Sequence, residues 1–111
     1  MIVVMPLDAA VVLVTAPPGE ASTLARLLVD ERLAACVQLV KIRSIYRWEG
    51  QVEDQPEELL LIKTRRSLAD RVCARVREVH PYEVPEALVL PVASGLDPYL
   101  DWLLAETHQA P

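Results

Sequence analysis

The sequence predicts a single α+β domain in which helices cover one face of an antiparallel sheet. Three observations point there. Short apolar runs and stretches of helical period follow one another in the order β-α-β-β-α-β, with one more helix at the end. The second and third strands are long and separated only by Glu49-Gly50, which makes them a hairpin. The chain has 111 residues, enough for one core and no second module.

Val11-Val12-Leu13-Val14 is β-branched and closed by Pro17-Pro18-Gly19, a buried strand followed by a loop. From Glu20 to Leu33 the period changes. Ala21, Leu24, Ala25 and Leu28 fall on one helix face, and Arg26, Asp30 and Glu31 largely on the other. Residues 35–48 alternate: Val40, Ile42, Tyr46 and Trp48 share one parity and Lys41, Arg43 and Arg47 the other, as in a half-buried strand. Gln51-Val52-Glu53 starts the return strand and Leu59 to Ile62 completes it. Pro56 has no N–H to give, so it is expected at a bulge or an edge. The tip of so long a hairpin projects, and a projecting strand edge usually pairs with something.

Ser67 is expected to open the second helix, with Asp70 three residues on as a capping-box partner. Leu68, Val72, Val76 and Val79 form its apolar stripe, and Pro81 stops it. Ala87-Leu88-Val89-Leu90, between Pro85 and Pro91, is the fourth strand. Asp97 and Pro98 suit the N-cap and first position of a last helix containing Leu100, Trp102, Leu103 and Leu104. The order is that of the split βαβ, ferredoxin-like fold. Helices on one side leave the other sheet face open, and oligomerisation is the expected cover. Residues 1–8 are expected to be a short N-terminal extension, with Met5 an alternative start, and residues 9–111 the domain.

Composition narrows the function. Hydrophobic residues make up 52% and charged residues 24%, which excludes a disordered chain. Phe is absent, so the core is aliphatic. A net charge of −5, from 11 basic and 16 acidic residues, argues against nucleic acid and against a basic membrane-surface helix. The apolar run AAVVLVTA is too short to span a bilayer. Cys36 and Cys73 form no CxxC, and two lone thiols fit a reducing compartment, the cytoplasm by default. Charge falls in blocks: Lys41, Arg43 and Arg47 on one strand, then Glu49, Glu53, Asp54, Glu57 and Glu58. Such blocks suit pairing between subunits or a mixed solvated surface.

Few residues can carry chemistry. His80 ends the second helix, where it either caps carbonyls or acts on a ligand. Cys36, Cys73 and His80 are the soft-metal donors, and a free Cys also serves as a small core residue. Glu53, Asp54, Glu57 and Glu58 read as a solvated acidic loop. Tyr46, Trp48 and Trp102 are large rings in a chain that otherwise avoids them, either packing residues or walls of a cleft for a planar ligand. An enzyme would need His80 as general base assisted by Glu83 or Glu86, and no nucleophile motif accompanies them.

Six segments together resemble one family. They are Val12–Pro17, Glu31–Val37, Ser44–Gly50, Lys63-Thr64, His80-Pro81-Tyr82-Glu83-Val84-Pro85-Glu86, and Tyr99–Leu103. In order and spacing they are similar to the CutA divalent-ion tolerance proteins. The resemblance implies a tight homotrimer with an architecture like that of the PII signalling proteins, a role in copper and other divalent-cation tolerance, and no catalysis. It places a metal candidate at His80, with Cys36 as the second candidate from its donor type, and an intersubunit ligand cleft at Tyr46, Trp48, Tyr82 and Trp102. No cofactor is required; copper or another divalent cation is the implied ligand, and a protein partner is left open. Some members carry Cys and His where Val14 and Val79 stand here, so the implied copper binding is weak.

Overall fold

A computed structural model describes residues 7–109. The chain runs β1 (Ala10–Ala16), α1 (Ala21–Asp30), β2 (Cys36–Trp48), β3 (Gln51–Thr64), a 3-10 turn (Arg66–Leu68), α2 (Ala69–Val79), β4 (Ala87–Pro91) and α3 (Asp97–Glu106). The sheet order is β2-β3-β1-β4, with every neighbouring pair antiparallel. This is the expected ferredoxin-like arrangement with its extra C-terminal helix.

Register explains which side is the core. Val12 lies opposite Ile62 and Val14 opposite Leu60, and all four are fully buried. Ala21, Leu24, Ala25 and Leu28 of α1 and Ala69, Val72 and Val76 of α2 pack onto them as one aliphatic cluster. Each large side chain so buried contributes about 1.5–3 kcal/mol. The α1 stripe matches the sequence pattern residue for residue. It ends in a Schellman motif: Leu33 N–H bonds Leu28 O and Arg32 N–H bonds Val29 O. Arg32 takes the left-handed position, at φ 59°, which usually falls to Gly or Asn. Its side chain donates to Ala105 O at 2.9 Å, tying the end of α1 to α3.

Among the described residues, the opposite face of the sheet carries no helical layer. Val11, Leu13, Leu59 and Leu61 occupy the alternate positions of β1 and β3, flanked by Leu88 and Leu90 and by Val40 and Ile42. In the single chain Leu88 is 56% exposed, Leu90 48% and Val40 45%. The parity read for β2 is therefore right, but its apolar side is not buried within one subunit.

The β2–β3 hairpin closes through Glu49 and Gly50, at φ 50° and 79°, a turn whose twist suits antiparallel strands. Pairing from Cys36↔Lys63 to Trp48↔Gln51 is unbroken, so there is no bulge at Pro56. Pro56 lies two residues past the last β1 pairing, Ala16↔Glu58, where β3 is an edge. The projecting hairpin makes the molecule long, 53 × 32 × 24 Å.

Three local expectations need correction. Ser67 sits in the 3-10 turn and does not cap α2 with Asp70. Its N–H and hydroxyl each donate to the Asp8 carboxylate at 2.8 Å, because a carboxylate from an adjacent strand end is the stronger acceptor. Asp8, expected in a short extension, is thereby tied to the domain; residues 1–6 of that extension lie outside the described residues. Finally, α3 begins one residue earlier than its cap reading: Leu96 is the N-cap, and Asp97-Pro98 opens the first turn.

A smaller cluster of Ala9, Ala35 and Leu103, with Leu100 and Leu104, fixes α3 at one end of the sheet. Arg65 reinforces it, donating to Leu104 O at 2.7 Å and to Thr107 Oγ1 at 3.0 Å.

Candidate functional site

At the far end of the sheet, the hairpin and the 81–86 loop enclose a cavity of about 690 Å³. Tyr46 and Trp48 reach it from β2, Glu57 from β3 and Tyr82 from the loop. The register explains the grouping. Tyr46, Trp48 and Glu57 have the parity of the uncovered face, since Glu57 pairs with Ile42 and Tyr46 with Glu53. The half-buried Tyr82 side chain sits above it.

His80 places Tyr82. The α2 helix stops at Val79, and His80 turns to extended backbone at φ −75°, ψ 139°, as the following proline requires. The ring then spans two segments. Nε2 donates to Thr15 O at 2.7 Å, and Nδ1 accepts from Tyr82 N–H at 3.1 Å. A carbonyl only accepts and an amide N–H only donates, so the tautomer is fixed as neutral Nε2–H. His80 is 8% exposed, and its ring lies 4.8 Å from that of Tyr82. The phenol of Tyr82 donates to Glu57 Oε2 at 3.0 Å. Burial first, and then the Glu57 carboxylate, push the Tyr82 pKa up to about 12.

Glu57 is the residue that sequence reasoning missed. It was read with Glu53, Asp54 and Glu58 as a solvated acidic loop, but all four belong to β3 and have different fates. Glu57 is 5% exposed. Asp54 forms an ion pair with Arg43, which holds its carboxyl below the usual range. Glu58 accepts the Gly19 N–H at 3.2 Å. Strand parity was the available signal: Glu57 is two positions from Leu59 and so shares its face.

The remaining candidates do not meet there. Cys36 is half-buried and pairs with Lys63, six residues along β3 from Glu57, roughly 20 Å away. The structure therefore does not bring Cys36 and His80 together. Both ring nitrogens of His80 are already hydrogen-bonded. Among the described residues, no group of three His, Cys, Asp or Glu is arranged to hold a metal ion. Trp102 is also apart from the cavity within one chain. It stacks on Tyr99, centroids 5.6 Å apart, at the end of the sheet where α3 packs. Burial, and then the Cys36 thiol, raise the Tyr99 pKa. Cys73 is half-buried on α2 against the main core, and burial pushes its thiol pKa up, as for a packing residue.

Comparison with known proteins follows the same lines. A family model described as CutA1 divalent ion tolerance protein matches residues 10–106. The divalent-cation tolerance protein CutA of Thermus thermophilus is 50% identical over 99 residues, covering 87% of this chain and 96% of that protein. The chloroplastic CutA of Arabidopsis thaliana is 50% identical over 100 residues, covering 88% of this chain, which spans 55% of that longer protein. Among solved structures, the Thermus thermophilus protein superposes with a TM-score of 0.85 at 49% identity, covering 90% of this chain and 99% of that one. The PII-like protein CutA from Nostoc sp. PCC 7120, in apo form, superposes with a TM-score of 0.86 at 39% identity, covering 89% and 97%. With nearly every described residue inside these matches, the chain belongs to the CutA1 divalent ion tolerance family.

Proposed function

We propose that this protein is a non-enzymatic homotrimer that serves tolerance of divalent cations, copper among them, and binds the metal only weakly. The role is supported by the names its relatives carry. The observation that carries the assembly is the uncovered apolar sheet face bearing Leu88, Leu90 and Val40. An antiparallel sheet can leave one face in water when that face is polar, and this one is aliphatic. Three copies related by a closed rotation bury it and give the projecting hairpins edges to pair with.

Weak metal binding follows from the donors. A copper ion reaches His80 only by displacing Thr15 O or Tyr82 N–H, and the Cys36 thiol lies at the other end of the sheet. Titration of the assembled protein with Cu²⁺ is expected to show no more than one weak site per subunit, weakened further in His80→Ala. Stoichiometric submicromolar binding that survives this substitution would overturn the reading. We place the protein in the cytoplasm: its two cysteines are free thiols, suited to a reducing compartment, and no helix among the described residues is long and apolar enough to cross a membrane.

The cavity favours a second reading, a PII-like sensor or adaptor that takes a small molecule at the cleft between subunits. A concave space with aromatic walls and a few aimed polar groups is what a small-molecule site requires. In this reading Trp102 of a neighbouring copy completes the cleft formed by Tyr46, Trp48 and Tyr82. Crystals of the assembly decide that point: Trp102 fully buried, far from any cavity, would remove it from the site.

A further inference from the structure

Among the described residues, three rings and three carboxylates line the cavity without a basic side chain beside them. Glu57, Glu83 and Glu86 line it, and among the described residues no Lys, Arg or His does. A concave site of one sign concentrates ions of the other. Glu57 carries this furthest. It is 5% exposed, and only its Oε2 has a partner, the Tyr82 hydroxyl. Its Oε1 has no hydrogen bond among the described residues, yet it is not a sealed, unsatisfied atom, since none occurs there. The free oxygen therefore opens onto the cavity that Glu57 lines.

The kind of cation follows from the geometry. A bare divalent metal needs several oxygens converging at bonding distance, and no three acidic, His or Cys side chains among the described residues provide them. The space, about 690 Å³, suits a drug-sized organic molecule. Tyr46, Trp48 and Tyr82 supply the faces on which an organic cation rests. We propose that this cavity binds an organic ammonium ion, a protonated amine on an apolar or aromatic body. Glu57 Oε1 accepts its N–H, Tyr46 and Trp48 hold the body, and the exposed Glu83 and Glu86 form an acidic rim. The proposal rests on the sensor reading and names the ligand class of that site.

The test uses the assembled protein and three probes of one shape: benzylammonium, benzyl alcohol and benzoate. Binding is read by calorimetry and by the tryptophan fluorescence of the unmodified assembly. Benzylammonium is expected to bind about tenfold or more tighter than benzyl alcohol, with benzoate weakest. Glu57→Gln keeps an oxygen to accept the Tyr82 hydroxyl and is expected to lower benzylammonium affinity by about tenfold. Should that variant fold poorly, Trp48→Leu on the exposed hairpin is expected to weaken benzylammonium binding by calorimetry. Equal binding of all three probes, or affinity untouched by either substitution, overturns the ammonium assignment. If benzoate binds best, the cleft remains a small-molecule site and only the ligand class is wrong. Silence toward all three ends both readings.

Discussion

Replacing Tyr82 by Phe tests the construction of the site at a single atom. The phenol donates to Glu57 Oε2 at 3.0 Å, and Glu57 is 5% exposed. Removing the hydroxyl leaves a largely buried carboxylate oxygen without its donor. A hydrogen bond to a charged group is worth about 1.5–3 kcal/mol; the ring itself is kept, so packing changes little. Tyr82→Phe is expected to destabilise each subunit by about 2 kcal/mol, read from urea midpoints at fixed protein concentration. The pH profile adds an independent sign. The folded pKa of Tyr82, about 12, is raised above its ordinary value of 10.0. The folded state holds this proton more tightly, so the contribution is complete below the unfolded value and is lost as pH rises through the folded one. Unmodified protein should lose stability between about pH 10 and 12, and Tyr82→Phe should lose less over that window. In a cycle with Glu57→Gln the two losses should be less than additive. Equal stability of variant and parent at neutral pH, with identical alkaline profiles, would refute the hydrogen-bonded pair.

Other substitutions test the frame that holds the site. Leu28 is fully buried at the centre of the main cluster, so Leu28→Ala should cost about 2–5 kcal/mol in chemical denaturation. Thr64 is buried and its hydroxyl donates to Leu33 O at 2.6 Å; the near-isosteric Thr64→Val should cost about 1–3 kcal/mol by leaving that carbonyl unpaired. Arg65→Met removes the donors to Leu104 O and Thr107, and amide exchange in α3 should accelerate while that in α1 stays slow.

The elements were legible because their causes are local. The α1 stripe of Ala21, Leu24, Ala25 and Leu28 follows from a 3.6-residue period, and all four are buried. Glu49-Gly50 marked the hairpin because only a few residue types accept positive φ there. His80-Pro81 marked the end of α2 for an equally local steric reason. What could not be read depends on contacts distant in sequence. Ser67 looked like a cap until Asp8, 59 residues away, supplied a better partner. Glu57 looked solvated because its neighbours are acidic, and only the arrival of Tyr82 from the loop after α2 makes it a buried acceptor. His80 was a metal candidate by residue type, and its partners Thr15 O and Tyr82 N–H explain why it serves as a brace. Tyr46, Trp48 and Tyr82 line one cavity, whereas Trp102 lies with Tyr99 at the other end of the sheet.

The aliphatic sheet face bearing Leu88 and Leu90 decides whether this fold is complete as one chain. Multi-angle light scattering on purified protein at micromolar dilution reads the answer directly. A particle of three times the 12.4 kDa chain mass is the result expected of copies that shield that face for one another. A persistent 12.4 kDa particle, folded and soluble with those leucines in water, would contradict it.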